Sequence, residues 1–260
     1  MRMSVVTATS TSTPIIEARN LTVRFGERTI FENLNFSVER GDILVILGGS
    51  GCGKSTLLRT LTGLNEPTEG QVFIGGEDFT AADGEARVAL LRKFGILFQS
   101  GGLFASMTLA ENVALPLQTY SQLSADEIDT MITLKLGSVG LDGFQEFLPS
   151  EISGGMKKRA GLARAMALDP EILFFDEPSA GLDPITSASL DNLILNLNAA
   201  LGTTMIVVTH ELDSINTIAR KALMLDREAK GKIAFGPIDE VRNSTAHPRI
   251  QHFFQRIAEE

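Results

Sequence analysis

The sequence predicts an α/β fold with a mostly parallel sheet, an N-terminal antiparallel β subdomain and a helical subdomain. Three short, continuously apolar segments indicate buried parallel strands, at residues 43–47, 172–175 and 205–208. Each segment runs directly into glycine or polar residues, as expected where strand ends line a site in such folds. Between residues 100 and 165 the pattern becomes helical, which places the helical subdomain there.

Composition limits the possible functions. The 260-residue chain has 23 Lys and Arg against 32 Asp and Glu, a formal net charge of −9. Because sequence-independent nucleic-acid binding depends on neutralising phosphates, we expect no nucleic-acid partner. Cys52 is the single cysteine, so no intramolecular disulfide can form and a reducing compartment is expected.

Neither a membrane span nor a secretory signal is predicted. No apolar segment approaches the about 18 residues that cross a bilayer. Residues 1–14 are rich in Ser and Thr, with Arg2 as their one basic residue and no apolar core. We expect a disordered tail over residues 1–14 and a soluble, cytoplasmic protein that works at a membrane only through a partner.

The N-terminal β subdomain is predicted from two strand-like segments, residues 15–25 and 33–38, with a turn at residues 26–28. Phe25 ends the first segment, and two interpretations are open for it. An arbitrary phenylalanine is most often a core residue. The alternative is an aromatic surface that stacks against a base, an interaction worth roughly 1–3 kcal/mol per base.

The most informative stretch follows the apolar segment 43–47 and leads into an amphipathic helix. It satisfies the pattern G-x-x-x-x-G-K-[ST] and comprises Gly48, Gly49, Ser50, Gly51, Cys52, Gly53, Lys54, Ser55 and Thr56. Glycines let backbone amides close around phosphate oxygens, where a Cβ would collide. Lys54 is placed to reach the β- and γ-phosphates, and the Ser55 hydroxyl to bind Mg²⁺. This strand–loop–helix arrangement predicts a nucleoside triphosphate site in a P-loop NTPase core.

The segment after this loop adds a strand at residues 70–76, a helix at 85–93 and a buried strand at 95–99. The last strand ends in Gln99. A glutamine at this position is commonly a polar cap, but at the carboxyl end of a strand it is also placed to bind Mg²⁺ or water.

In the helical region, residues 109–115 are predicted to form a short turn stopped by Pro116, and residues 125–139 a longer helix with Ser124 as N-cap. A further helix follows Ser153, Gly154 and Gly155 and extends to Ala167. Amides at such a helix N-terminus form an anion site, although Ser-Gly-Gly also occurs in ordinary loops. The basic run 157–159 is predicted to be a solvated helix face.

Polar residues also follow the last two buried strands. Asp176 is placed to hold Mg²⁺ and Glu177 to polarise an attacking water, and an acidic turn is the alternative. Asp183 is a candidate catalytic residue or a helix N-cap. His210 follows residues 205–208 and is either structural or in contact with the γ-phosphate.

The tail at residues 246–260 carries one apolar helical stripe, formed by Ile250, Phe253, Phe254 and Ile257. Such stripes most often pack on their own domain. Docking onto a partner is the alternative.

Taken together, the order of these motifs resembles the nucleotide-binding subunit of ATP-binding cassette (ABC) transporters, from about residue 15 to residue 236. The resemblance assigns the aromatic position to Phe25, the Walker A motif to residues 48–56, the glutamine loop to Gln99 and the signature to residues 152–156. It assigns Walker B to residues 172–176, the catalytic glutamate to Glu177, the D-loop to Asp183 and the switch histidine to His210. Met156 departs from the usual glutamine of the signature.

A finer resemblance, to the Mla-type ATPases of bacterial phospholipid transporters, rests on residues 98–104, 153–159 and 183–186. It implies ATP and Mg²⁺ as cofactors, with Ser55, Gln99 and Asp176 at the metal. It also implies a homodimer in which Ser153 and Gly155 of one copy contact the ATP bound by Lys54 of the other.

The same resemblance implies a location at the cytoplasmic face of the bacterial inner membrane. The implied partners are an integral-membrane permease that docks after Gln99, a small STAS-domain protein and a periplasmic MCE-type lipid-binding protein. Three alternatives are open: a transporter for another hydrophobic substrate, a soluble non-transport cassette ATPase, and a regulatory subunit without turnover.

Overall fold

The computed structural model describes residues 13–256. The predicted disordered tail at residues 1–14 therefore lies mostly outside the described residues. Within residues 13–256, ten strands form two sheets. The strands are β1 (Ile16–Phe25), β2 (Arg28–Val38), β3 (Ile43–Leu47), β4 (Glu69–Ile74), β5 (Glu77–Asp78), β6 (Phe94–Leu97), β7 (Ile172–Asp176), β8 (Thr204–Val208), β9 (Lys221–Asp226) and β10 (Gly231–Pro237). The helices are α1 (Lys54–Leu61), α2 (Gly84–Leu91), α3 (Leu109–Tyr120), α4 (Ala125–Ser138), α5 (Gly154–Ala165), α6 (Pro184–Leu201), α7 (Leu212–Ile218), α8 (Ile238–Asn243) and α9 (Pro248–Gln255), with a short 3₁₀ turn at Pro149–Glu151.

The main sheet has six strands in the order β10-β9-β3-β8-β7-β6, parallel throughout except for β10. Its central strands β3 and β8 are buried at every residue. Both faces of a parallel sheet are covered by other elements, so strands with apolar residues on both faces are buried completely. Ile43, Val45 and Leu47 pack with the helical side, whereas Leu44 and Ile46 pack with the β subdomain. The predicted parallel sheet is confirmed.

A second, antiparallel sheet has the order β2-β1-β4-β5, which confirms the N-terminal β subdomain. Strand β2 starts at Arg28 rather than at residue 33, because the hairpin ladder continues to the turn, where Arg28 pairs with Phe25. Gly26 in this turn has φ +58°, a conformation that glycine adopts without strain.

Three helices, α3 to α5, lie between β6 and β7. The predicted stop at Pro116 is wrong, because α3 continues through it to Tyr120. Tertiary packing overrides the proline here, since Val113 and Leu117 on either side of it are buried in the core. Ser124 is confirmed as the N-cap of α4, where it forms a capping box with Glu127.

Other predicted boundaries differ by a few residues. Helix α2 ends two residues before the predicted residue 93, and α5 ends at Ala165 because its last turn closes at Met166. No helix within residues 13–256 is both long and apolar enough to cross a membrane.

The C-terminal helix α9 packs on its own chain. Ile250 is fully buried in the core on the helical side of the sheet. Arg249 forms ion pairs with Asp226 and Glu228 in the turn after β9. Ile257, the last residue of the predicted stripe, lies outside the described residues.

Candidate nucleotide-binding site

The glycine-rich loop connects β3 to α1, and its backbone requires glycine. Gly48 has φ +139°, and a Cβ there would lie 2.3 Å from the carbonyl oxygen of Leu225. Gly53, with φ +104°, is the N-cap of α1, and its Cβ would lie 2.7 Å from the Ile30 side chain. The first turn of α1 contains no acidic side chain, so its amides and positive dipole end face no competing charge there.

Lys54 lies over the loop. Its Nζ donates to the carbonyl oxygens of Gly48 at 2.8 Å and Gly49 at 3.1 Å. An ammonium with three donors can exchange such carbonyl bonds for phosphate oxygens, which are stronger acceptors. The loop and Lys54 therefore form a site suited to a polyphosphate.

Cys52 contributes to the loop through its backbone only. Its side chain is buried, with 3% exposed, and packs in the core shared with the β subdomain. Burial raises the pKa of the thiol, opposed by the nearby Lys54 charge. The sequence indicated a residue of the phosphate loop but not the direction of its side chain.

Ser55 and Asp176 lie together, since α1 and β7 meet below the loop. The Ser55 hydroxyl donates to Oδ1 of Asp176 at 3.3 Å. A hydroxyl and a carboxylate oxygen are the donors that Mg²⁺ prefers, so this pair fits the cation implied by the sequence. Gln99 is exposed, and no hydrogen bond joins its side chain to this pair among the described residues.

Glu177 and His210 form the second contact at the strand ends. His210 Nδ1 lies 2.9 Å from both carboxylate oxygens of Glu177, but only Oε1 has hydrogen-bonding geometry. Oε2 is buried and has no hydrogen-bond partner among the described residues. Glu177 also has φ +48°, a strained backbone for a residue with a side chain. Strain and an unsatisfied buried acceptor in one residue are typical of functional sites.

Phe25 lies at the end of β1 with 55% of its surface exposed, so the interpretation as a core residue is wrong. Its exposed ring is available for stacking.

The signature residues lie at the start of α5, whereas Lys54 lies on a different helix, α1. Ser153 is the exposed N-cap, and its hydroxyl accepts from the Met156 amide. A Cβ on Gly155 would lie 2.5 Å from Thr186, so this glycine permits close packing of α5 on α6. Among the described residues no hydrogen bond joins Ser153 to the phosphate-binding loop.

Asp183 is the N-cap of α6, which confirms the N-cap interpretation. Its carboxylate accepts from the amides of Ile185 and Thr186 and from the Thr186 hydroxyl. These bonds, that of the Thr186 hydroxyl foremost, lower the pKa of Asp183.

The predicted solvated face at residues 157–159 is wrong for two of its three residues. Lys158 is buried and donates to the carbonyl oxygens of Gln99 and Glu177. Arg159 donates to the carbonyl of Val139 and the hydroxyl of Ser189. Periodicity contained a signal for Lys158, because Gly161 and Leu162, three and four residues later, are both buried on the same helix face.

Comparison with known proteins gives a consistent result. The ABC transporter family matches residues 31–180. The chain is 40% identical over 245 residues to the intermembrane phospholipid transport system ATP-binding protein MlaF of Escherichia coli K12, covering 94% of this chain and 90% of that protein. It is 41% identical to the probable ribonucleotide transport ATP-binding protein mkl of Mycobacterium tuberculosis, covering 92% of this chain and 66% of that protein.

Solved structures agree. The fold matches the ATP-binding cassette MJ0796, described as a dimer in a post-hydrolysis state bound to ADP and Pi. The TM-score is 0.77 and the identity 29%, over 86% of this chain and 98% of that one. With its nucleotide-binding loop and its match across the cassette, the chain belongs to the ABC transporter family, as an ATPase subunit.

Proposed function

We propose that this chain hydrolyses ATP to drive a transporter that moves phospholipids between the inner and outer membranes of a bacterium. The observation that carries the proposal is the 40% identity to MlaF along nearly the full length of both proteins. The contacts at the strand ends, Ser55 with Asp176 and Glu177 with His210, support the ATPase part of the proposal.

In this proposal each residue has a role that its environment permits. The loop amides and Lys54 bind the phosphates, and Phe25 stacks on the adenine. Ser55, Asp176 and Gln99 would hold Mg²⁺, which neutralises phosphate charge as it accumulates.

Glu177 orients and polarises the attacking water. Its Oε2 is buried and has no hydrogen-bond partner within the described part of the chain, so it is an unsatisfied acceptor that a bound water would satisfy. His210 fixes the carboxylate through Oε1 and presents its exposed ring toward the γ-phosphate position.

A second copy completes the site. The start of α5, with Ser153 and Gly154 exposed and Gly155 half-buried, would contact the ATP bound by the other copy, with Asp183 beside it. The dimer reported for MJ0796 supports this arrangement. ATP binding would close the homodimer and hydrolysis would open it.

A groove on the helical side fits a membrane partner. It has a volume of about 650 Å³ and is lined mainly by apolar residues of α2, β6, α3 and the segment after Gln99. The rings of Phe104 and Tyr120 are 49% and 45% exposed, respectively, which is a large apolar exposure. The groove is lined by two arginines, Arg92 and Arg164, and by no carboxylate among the described residues. We assign the groove to a cytoplasmic segment of an integral-membrane permease.

The resemblance to Mla-type systems supports two further partners, a small STAS-domain protein and a periplasmic MCE-type lipid-binding protein. The latter would act through the permease. The chain would then be a peripheral protein on the cytoplasmic face of the inner membrane.

One observation favours a second candidate substrate. The relative mkl, named for ribonucleotide transport, is as similar in sequence as MlaF is. A transporter of another substrate would use the same ATPase chemistry, so the substrate needs a direct test.

The test is purification of a tagged Glu177→Gln form from detergent-solubilised membranes, with mass spectrometry of the bound proteins and lipids. A permease, a STAS protein, an MCE-type protein and glycerophospholipid are expected. A tagged Lys54→Ala form, which removes the proposed phosphate contact, is the matched control. A permease without phospholipid would contradict the substrate, and the absence of any membrane partner would contradict the transport function.

A further inference from the structure

Lys158 is a buried cation that the proposed ATPase mechanism does not use. It lies on α5, five residues after Ser153, and only 5% of its surface is exposed. Its Nζ donates to the carbonyl oxygen of Gln99 and to that of Glu177, the latter at 3.3 Å. One side chain therefore joins the signature helix to the ends of two neighbouring strands, β6 and β7.

Burying the Lys158 ammonium costs solvation energy, and nearby carboxylates offset part of that cost. Burial lowers the pKa of Lys158, while the carboxylates of Glu211, Asp176 and Glu177 oppose this shift. A buried ammonium is tolerated when it has hydrogen bonds and opposite charges nearby. An apolar side chain would fill the same volume without this cost, so the charge points to a role beyond packing.

The segment that begins at Gln99 lies directly on α5. A Cβ on Gly161 would be 2.3 Å from the carbonyl oxygen of Gly101, and a Cβ on Gly101 would be 3.0 Å from that of Lys157. These close approaches hold residues 99–101 against α5. If this segment moves, we therefore expect α5 to move with it.

Glu177 is held at both backbone ends. Its amide donates to the carbonyl of Val208 at 2.9 Å, and its carbonyl accepts from Lys158. Because its φ of +48° is strained, the surrounding bonds are needed to maintain it. Loss of one of them would allow the carboxylate to move away from His210.

We infer that Lys158 is a positioning residue that connects the Gln99 segment, and through it the groove, to the backbone of Glu177. Docking in the groove would then change the placement of the Glu177 carboxylate. The inference rests on the proposed function, in which Glu177 orients water.

The test compares four purified variants with the native chain in steady-state ATP hydrolysis. Lys158→Met removes the charge and keeps the length, Lys158→Arg keeps a charged donor, and Lys157→Met makes the same change one residue away. We expect Lys158→Met to lower kcat about ten- to hundredfold with KM for ATP changed less than about threefold. Lys158→Arg should recover most of kcat, and Lys157→Met should stay within about twofold of the native chain.

Glu177→Gln is the fourth chain and separates two kinds of failure. If it retains turnover, the proposed function is contradicted. If it is inactive while Lys158→Met has native kcat, only the role of Lys158 is overturned. An equal loss of kcat and ATP affinity in Lys158→Met and Lys158→Arg would also overturn it, since a purely structural residue behaves in that way.

Lys158→Leu provides a second variant if Lys158→Met does not fold, because it also lacks both the charge and a side-chain N–H donor. A kcat reduced at unchanged KM supports the inference, and a native kcat contradicts it. Addition of the permease complex gives a further readout. The native chain is expected to change its hydrolysis rate on binding, Lys158→Arg to keep that response and Lys158→Met to lose it.

Discussion

The two halves of the proposed ATP site differ in how complete they are within one chain. At the strand ends, Ser55 contacts Asp176 and Glu177 contacts His210, so four side chains from separate parts of the sequence already meet. At the start of α5, Ser153 is exposed and, among residues 13–256, bonds only to its own helix. The first half is fixed by the sheet, and in the proposed function the second half is completed by another copy of the chain.

The difference has a physical origin. Parallel strands end at one edge of the sheet, which brings β3, β7 and β8 residues together without further design. Helix α5 packs on α3, α4, α6 and β6, so its Lys158 reaches the strand ends while its first residues, Ser153 and Gly154, are exposed. In the proposed function, the exposed amides at this N-terminus gain their anionic ligand from the ATP bound by the second copy.

Mixing two defective chains tests whether the two halves of the proposed site come from different copies. Lys54→Ala removes the phosphate contact, and Ser153→Arg blocks the signature, so each variant alone should lose hydrolysis by about a hundredfold or more. If the halves come from different copies, a mixed dimer keeps one intact site. An equal mixture should then recover roughly a quarter of native activity, since about half of the dimers are mixed.

The measurement is phosphate release at fixed total protein while the ratio of the two variants is varied. Each variant mixed with unmodified protein serves as the control for exchange between dimers. Activity that never exceeds the sum of the separate variants, although exchange occurs, would place both halves in one chain.

The same two regions were predicted with different success from the sequence. Strand ends and the glycine loop were predictable, because short apolar runs and backbone-determined glycines are local signals. Pro116 and Lys158 were not, because each depends on what the helix packs against. A proline normally ends a helix and a lysine is normally exposed, and tertiary contacts decide otherwise in α3 and α5.

The helical region offers a stability test of that conclusion. Pro116 lacks the amide that would bond within α3, so Pro116→Ala restores one backbone donor in a helix that already forms. We expect the free energy of unfolding to rise by about 1–2 kcal/mol, less than the full helical cost of proline because proline also restricts the unfolded chain. Urea unfolding measures the change.

Thr119→Ala, on the exposed side of the same helix, is the control and should alter stability by less than about 0.5 kcal/mol. A lower stability of Pro116→Ala would mean that the packing of the proline ring in the groove outweighs the missing hydrogen bond.

The smallest expected effect lies in α6. The N-cap of this helix, Asp183, lies beside the signature, and Asp191 two turns later is buried near Glu211. Burial raises the pKa of Asp191, against a hydrogen bond from Ser214, and Oδ1 has no hydrogen-bond partner among the described residues. The folded state therefore disfavours the ionised carboxylate.

The sign of the pH dependence follows from this shift. Because the folded pKa lies above the ordinary value of 3.8, ionised Asp191 destabilises the fold at neutral pH. That penalty disappears as the pH falls toward 3.8. Asp191→Asn should thus be more stable than the native chain by about 1 kcal/mol at pH 7 and equal to it near pH 4. Asp213→Asn, at an exposed position on α7, should show no such convergence. If Asp191→Asn is less stable than the native chain at pH 7, the ionised carboxylate stabilises α6, and the predicted direction of the pH dependence is wrong.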